Sequence, residues 1–126
     1  MMFGDGKYEI IHGYDEVLIC GLVLGAKAAI GSTFNYMAPL YNRLIACVEK
    51  GDLATARELQ QYSVKVVEVL MKYRGGAIGG KAIQSLCGIE CGPSRLPIQT
   101  LSSDEITQLK KDLEALNFFE SIHNYE

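Results

Sequence analysis

The chain has 126 residues, of which 48% are hydrophobic, and its formal net charge is −3. This composition is that of a single globular domain and argues against a disordered or fibrous chain. Because the charges are spread along the sequence without a basic run, we expect neither a nucleic-acid partner nor a polybasic membrane patch.

The most apolar stretch, residues 17–30, is interrupted by Gly21, Gly25 and Lys27. It is too short for the roughly 20 apolar residues that a membrane-spanning helix requires. The N-terminus, which begins Met1-Met2, has no positively charged start followed by an apolar core, as a secretory signal would. We therefore expect a cytoplasmic protein with no membrane segment.

The four cysteines, Cys20, Cys47, Cys87 and Cys91, lie within apolar helical patterns. Their spacing is not that of a disulfide framework, so we expect free thiols that pack as small hydrophobic side chains. Cys87 and Cys91 are four residues apart, but no histidine lies near them in the sequence. We expect no metal site and no cofactor.

Two strand–helix units are predicted in residues 1–51. In chain order they consist of a strand over residues 8–12, a helix over residues 14–24, a strand over residues 28–30 and a helix over residues 35–51. The first helix has an acidic first turn and ends at Gly25, both of which are helix-boundary signals. Two such units in succession imply parallel strands joined by a right-handed crossover.

From Asp52 onward the pattern is helical, and we expect residues 52–126 to form a C-terminal helical tail of the same domain. Asp52 is a suitable N-cap for a long helix, and a glycine cluster over residues 75–80 precedes a shorter one. Ser102 and Glu105 form a capping box that begins a final amphipathic helix. The apolar seam of that helix is formed by Leu109, Leu113 and Leu116.

The predicted fold class is α/β, in the form of an incomplete (β/α)8 TIM barrel with a C-terminal helical extension. A closed barrel of this kind takes about 250 residues, and the sequence carries only two of its units. Two parallel strands leave backbone edges and apolar faces uncovered, so we expect self-association or pairing with longer chains. Residues 1–3 fit the end of an earlier helix, which suggests that Met1 is an internal start in a longer reading frame.

The loops that follow the two strands carry polar groups, and ligands of βα barrels bind at this end of the strands. The first loop contains Gly13, Asp15 and Glu16, and the second contains Gly31 and Ser32. The simpler interpretation is that the two carboxylates only cap the helix they precede. The presence of both loops favours a polyhydroxylated ligand instead.

These loops resemble those of a known family. His-Gly-Tyr-Asp-Glu at residues 12–16, Leu-Gly-Ala at residues 24–26 and Ile-Gly-Ser-Thr-Phe-Asn at residues 30–35 are similar to strands seven and eight of the N-acetylneuraminate lyase family. That family belongs to the pyruvate-dependent class I aldolases, together with dihydrodipicolinate synthase. The resemblance continues through the helix with Lys81 and the connector over residues 92–97.

The resemblance implies a set of substrate-binding residues. Residues matching Gly13, Asp15, Glu16 and Ser32 contact the sugar portion of the substrate, and Gly31 lines the same pocket. Phe34 replaces a tyrosine that is common in the family, which is a conservative change. The implied ligands of a completed barrel are N-acetylneuraminate, pyruvate and N-acetylmannosamine.

The family reaction cleaves N-acetylneuraminate to N-acetylmannosamine and pyruvate through a Schiff base on a lysine of strand six. The 126 residues contain no counterpart of that strand. Lys7 and Lys27 precede their strands, and Lys81 belongs to the tail, where we expect it to pair with a carboxylate or a helix terminus. The chain by itself is therefore predicted to have no catalytic residue and no lyase activity.

Three functional hypotheses remain open at this stage. The chain is part of a sialic acid aldolase that acts within a complete barrel, or it is a non-catalytic truncated paralogue or isoform. The third hypothesis is another aldolase of the same superfamily, such as one similar to dihydrodipicolinate synthase.

Overall fold

A computed structural model describes residues 4–122 of the chain. The elements, in chain order, are a 3₁₀ turn at Gly4–Gly6, strand β1 at Ile11–His12, a 3₁₀ turn at Asp15–Val17, helix α1 at Leu18–Val23, strand β2 at Ala28–Ala29, and helices α2 at Phe34–Glu49, α3 at Leu53–Lys72, α4 at Gly79–Leu86, α5 at Ser103–Glu114 and α6 at Phe118–Ser121. The sequence did not predict α6. The proposed helix end at residues 1–3 lies outside the described residues.

The two strands are parallel and pair Ile11 with Ala28 and His12 with Ala29. They are shorter than the predicted strands over residues 8–12 and 28–30, although the Ile30 N–H also donates to the His12 carbonyl oxygen at 2.9 Å. Within the described residues each strand has a single neighbour. A longer ladder therefore has no second partner to support it.

Helix α1 does not run unbroken over residues 14–24 as predicted. It begins as the 3₁₀ turn and is interrupted at Val17, where φ is −132° and ψ is 29°. Its predicted end is confirmed, because Gly25 has a φ of 96° and its N–H donates to the Leu22 carbonyl oxygen at 2.9 Å. A positive φ of this kind favours glycine at a helix C-terminus.

Helices α2 and α3 form the centre of the core. Helix α2 buries Leu40, Tyr41 and Leu44, and α3 packs against it with a face that includes Val66 and Leu70. The predicted N-cap is confirmed, since the Asp52 carboxylate accepts a hydrogen bond from the Thr55 N–H at 3.1 Å. The two predicted strand–helix units and the tail thus share one apolar core, and a boundary at residue 51 stays a prediction.

The remaining helices cover the other side of this core. Ser102 and Glu105 form the predicted capping box at the start of α5, and Leu109 and Leu113 are fully buried, whereas Leu116 is half-buried. The glycine cluster was expected to precede α4, but Gly79 and Gly80 form its first turn. A Cβ on Gly79 would lie 2.9 Å from the Tyr73 carbonyl oxygen, so the helix begins close against the end of α3.

None of the helices within residues 4–122 is both long and apolar enough to cross a membrane.

Candidate functional site

The loops after β1 and β2 meet at an open depression of about 230 Å³. All five residues predicted to bind substrate line it, namely Gly13, Asp15, Glu16, Gly31 and Ser32. The rest of the lining includes Thr33, Gly76 and side chains from the second half of α3. Because β1 and β2 are parallel, their C-terminal ends lie at the same edge of the sheet and place the two loops side by side.

Asp15 joins the two loops. Asp15 is only 6% exposed, and its Oδ2 accepts hydrogen bonds from the Thr33 N–H at 3.0 Å and the Thr33 hydroxyl at 2.6 Å. The hydroxyl proton of Thr33 is used in this bond, so the Tyr41 hydroxyl donates to Thr33 Oγ1, also at 2.6 Å. The capping interpretation is therefore wrong for Asp15, whose side chain binds the second loop and not its own helix terminus.

Gly31 allows this close contact. A Cβ at this position would overlap the Asp15 carboxylate. The backbone of the second loop therefore lies directly against the carboxylate, and only glycine permits that approach. The contact that requires glycine here is with the neighbouring loop, and the role of Gly31 in lining a substrate pocket stays a prediction.

Gln60 of α3 holds the first loop through hydrogen bonds, and the sequence analysis did not predict this residue as part of the site. Its Nε2 donates to the Asp15 carbonyl oxygen at 3.0 Å and to Ser63 Oγ at 2.7 Å. Its Oε1 accepts from the Ile19 N–H at 3.0 Å. Gln60 and Ser63 are both buried on the apolar face of α3. Two polar residues within an apolar helix face indicate buried hydrogen bonds, and this was the signal in the sequence that could have identified Gln60.

Glu16 and Ser32 are the site residues whose side chains remain available. Glu16 is half-buried and Ser32 is exposed. Within residues 4–122 neither side chain makes a hydrogen bond or an ion pair, although the Ser32 carbonyl oxygen accepts from Asn35 Nδ2 at 2.9 Å. A carboxylate acceptor and a hydroxyl that both donates and accepts are thus directed to the same depression.

Two tyrosines of α2 lie beneath the site. Burial raises the pKa of the Tyr41 hydroxyl from 10.0 to about 12, and burial also raises the pKa of Tyr36. Both side chains are therefore protonated at neutral pH, which keeps Tyr41 a donor to Thr33. The Tyr36 hydroxyl is buried and has no hydrogen-bond partner within the described residues.

His12 and Lys81 have structural contacts. The His12 Nε2–H donates to the Tyr14 carbonyl oxygen at 2.8 Å, and the ring lies against the backbone of Gly21. The Lys81 ammonium group donates to the carbonyl oxygens of Cys91 and Pro93 at 3.3 and 3.1 Å. The expectation that Lys81 would pair with a carboxylate or a helix terminus is wrong, because its charge holds the connector that follows α4.

Metal-binding groups are not clustered in this part of the molecule. Within residues 4–122 there is no group of three histidine, cysteine, aspartate or glutamate side chains that could hold a metal ion. All four cysteines are free thiols.

Known proteins resemble this chain over most of its length. The Dihydrodipicolinate synthetase family matches residues 5–116. The N-acetylneuraminate lyase of Rhizobium meliloti is 35% identical over 102 residues, which cover 81% of this chain and 34% of the relative. That of Rattus norvegicus is 35% identical over 113 residues, which cover 89% of this chain and 35% of the relative.

Solved structures give the same result. The N-acetylneuraminate lyase of Aliivibrio salmonicida superposes with a TM-score of 0.83 at 36% identity, covering 91% of this chain and 38% of that chain. The Proteus mirabilis N-acetylneuraminate lyase superposes with a TM-score of 0.82 at 36% identity, covering 91% and 39%. This chain thus spans little more than a third of the relatives it matches, and it is a member of the dihydrodipicolinate synthetase family, with N-acetylneuraminate lyases among its homologues.

Proposed function

We propose that this chain is the C-terminal, sugar-recognising part of a class I aldolase similar to N-acetylneuraminate lyase. The observation that carries the proposal is the convergence of Gly13, Asp15, Glu16, Gly31 and Ser32 at one depression. Relatives that match most of this chain are named as lyases of N-acetylneuraminate, which is a polyhydroxylated acid. Sugar hydroxyls both donate and accept hydrogen bonds, as the free groups of this site do.

The five residues divide into two roles in this proposal. Glu16 accepts hydrogen bonds from ligand hydroxyls, and the Ser32 hydroxyl binds another, because these two side chains have no partner within the described residues. Asp15 mainly positions the loops, since Thr33 already occupies its Oδ2. Gly13 and Gly31 have no side chain, which allows a ligand ring to approach the loop backbones closely.

Bond cleavage requires a lysine from a part of the barrel that these residues do not include. The Lys81 ammonium group holds the connector through two carbonyl oxygens, so it is unsuited to Schiff-base formation. We therefore propose that the chain alone has no lyase activity. N-acetylneuraminate, pyruvate and N-acetylmannosamine are the ligands of the completed barrel, and the two loops of the chain alone bind the sugar portion of N-acetylneuraminate. A cytoplasmic location stays a prediction.

The surface around the strands supports completion by other barrel segments. Ile11 is 57% exposed and Ile30 is 70% exposed, and Tyr8 beside them is exposed as well. Within the described residues each strand also has one unpaired edge. Exposed strand edges with apolar neighbours pair readily with further strands, so we propose association with longer chains of the family or with copies of itself.

A binding experiment tests the sugar site. We expect N-acetylneuraminate added to the ¹⁵N-labelled chain to shift the amide resonances of Gly13, Gly31 and Ser32. Glu16→Gln should weaken binding about tenfold, because a hydrogen bond to a charged group contributes about 1.5–3 kcal/mol. Glu58→Gln, on the exposed side of α3, is the matched control and should bind as the unchanged chain does. Equal affinities for the Glu16 and Glu58 variants would contradict the proposal.

Two further measurements test the missing chemistry. Pyruvate and borohydride should leave the chain without a mass increase, whereas a modified lysine would overturn the assignment of inactivity. Coexpression with the N-terminal two thirds of a lyase relative should give cleavage of N-acetylneuraminate. Activity of that complex with aspartate semialdehyde alone would favour the dihydrodipicolinate synthase-like alternative, and a stable but inactive complex would favour a non-catalytic paralogue.

A further inference from the structure

A second depression, of about 160 Å³, adjoins the sugar site. The two share Ser32 and Gly76, and the second extends between the beginning of α2 and the beginning of α4. Its lining includes Tyr36, Gly80 and Lys81. A ligand bound at Ser32 could therefore place one of its substituents in this second space.

The first turn of α4, of which Gly80 and Lys81 line the second depression, has unpaired backbone donors. Its N-cap residue is Ile78, whose side chain has no oxygen to accept a hydrogen bond from the turn. The N–H groups of Gly79 and Lys81 have no partner within the described residues, whereas that of Gly80 donates to the Gly75 carbonyl oxygen at 3.3 Å. A helix N-terminus with free N–H groups carries a partial positive charge and attracts anions. Gly80 adds no side chain that would keep a ligand away from this backbone.

Tyr36 provides a second and independent indication of a ligand. Its side chain is 8% exposed, and its hydroxyl is buried without any hydrogen-bond partner within residues 4–122. A Cβ on Gly80 would lie 3.7 Å from this hydroxyl, which places the oxygen beside the first turn of α4. A buried hydroxyl with no partner costs stability, and a bound acceptor would remove that cost.

Lys81 supplies a full positive charge at the same place. Two of its three ammonium protons are donated to the carbonyl oxygens of Cys91 and Pro93, and one remains for a ligand. In addition to burial, the Asp15 carboxylate is close enough to raise the pKa of Tyr36, and it opposes an anion, but its Oδ2 is engaged by two donors from Thr33. The donors that face the second depression therefore favour a negatively charged group.

We infer that the second depression is an oxyanion subsite, in which the α4 N-terminus, the Tyr36 hydroxyl and Lys81 bind a carboxylate or phosphate group of the ligand. Because the carboxylate of N-acetylneuraminate adjoins the carbon that forms the Schiff base, away from the sugar-binding loops, the group bound here is a second anion of the ligand, such as the phosphate of a phosphorylated sugar; that identity rests on the proposed function. The binding of an anion does not, because a small anion can occupy the subsite without a sugar.

The test uses inorganic phosphate and, in a separate arm, acetate, with the full ¹⁵N-labelled chain. We expect phosphate to shift the amide resonances of Gly79, Gly80 and Lys81 in a saturable manner. Tyr36→Phe should weaken phosphate binding about fivefold, which is the ordinary effect of losing one buried hydrogen bond. Tyr62→Phe is the matched control, since the hydroxyl of Tyr62 donates to the Leu116 carbonyl oxygen at 3.2 Å, away from the subsite.

The thermal stability of the variants distinguishes a binding role from a structural one. Without phosphate, Tyr36→Phe should be at least as stable as the unchanged chain, because it removes an unpaired buried hydroxyl. With phosphate, the unchanged chain should gain more stability than the variant does. Lys81→Met should also lose phosphate affinity, whereas Lys65→Met on the exposed side of α3 should not.

Absence of shifts at the start of α4 with both phosphate and acetate, or equal affinity of Tyr36→Phe and the unchanged chain for the anion that binds, would overturn the inference. Shifts caused by acetate but not by phosphate would assign the subsite to a carboxylate, and the reverse would assign it to a phosphate. Phosphate binding without any binding of N-acetylneuraminate would leave the subsite intact and reject the proposed sugar ligand. Sugar binding without any anion binding would reject the subsite and leave the proposed sugar ligand intact.

Discussion

Thr33→Val tests the link between the two loops of the sugar site. The Thr33 hydroxyl donates to Asp15 at 2.6 Å and accepts from Tyr41 at 2.6 Å, and Thr33 is 1% exposed. Valine has nearly the same shape, so the change removes the hydroxyl without opening a cavity. The bond to a carboxylate contributes about 1.5–3 kcal/mol, and the Tyr41 hydroxyl loses one partner as well. We expect the free energy of unfolding to fall by about 3 kcal/mol, a large part of the stability of an ordinary domain.

Urea denaturation followed by circular dichroism measures this change, with an unaltered dependence on urea as the sign that the folded structure is the same. Thr33→Ser is the control, because it keeps the hydroxyl and removes one buried methyl group, at a cost of about 1 kcal/mol. If Thr33→Val is no less stable than Thr33→Ser, the hydrogen bonds to Asp15 and Tyr41 do not hold the loops together, and the reasoning is refuted.

Three further predictions follow from the same structure. Gly31→Ala should abolish sugar binding and lower the free energy of unfolding by about 1–3 kcal/mol, because the added methyl group overlaps the Asp15 carboxylate. Gly13→Ala is the control. Its methyl group meets no atom within 4 Å, so this variant should be nearly as stable as the unchanged chain. Ser102→Ala should lower the free energy of unfolding by about 1 kcal/mol through loss of the α5 cap, as measured by urea denaturation, and an unchanged midpoint would contradict it. The folded state raises the pKa of Tyr41 from 10.0 to about 12, so its contribution to stability is complete below pH 10 and is lost as the pH rises towards about 12. Tyr41→Phe should therefore show a smaller loss of stability over that range, and an identical loss in both proteins would exclude Tyr41 as a cause.

Sequence patterns located the features that depend on neighbouring residues. Three helix boundaries are confirmed, namely the caps at Asp52 and Ser102 and the glycine end of α1. They could be predicted because each is formed within about one turn of helix. The two loops were also placed correctly at one edge of the strands, since the C-terminal ends of successive parallel strands lie together. Family resemblance then indicated which loop residues face a ligand, and their role as ligands stays a prediction.

Tertiary structure alone decided how those loops are held and which groups remain free. The bond from Thr33 to Asp15 joins residues 18 positions apart, and that from Gln60 joins residues 45 positions apart. No local pattern distinguishes a carboxylate that caps a helix from one that binds a distant hydroxyl, because the residue type and its position in the chain are the same in both cases. The sequence by itself determined the helix boundaries at Gly25, Asp52 and Ser102 and which loops carry polar side chains. Only the packing of α2, α3 and α4 around those loops made Asp15 a link, left Glu16 available and buried the Tyr36 hydroxyl without a partner.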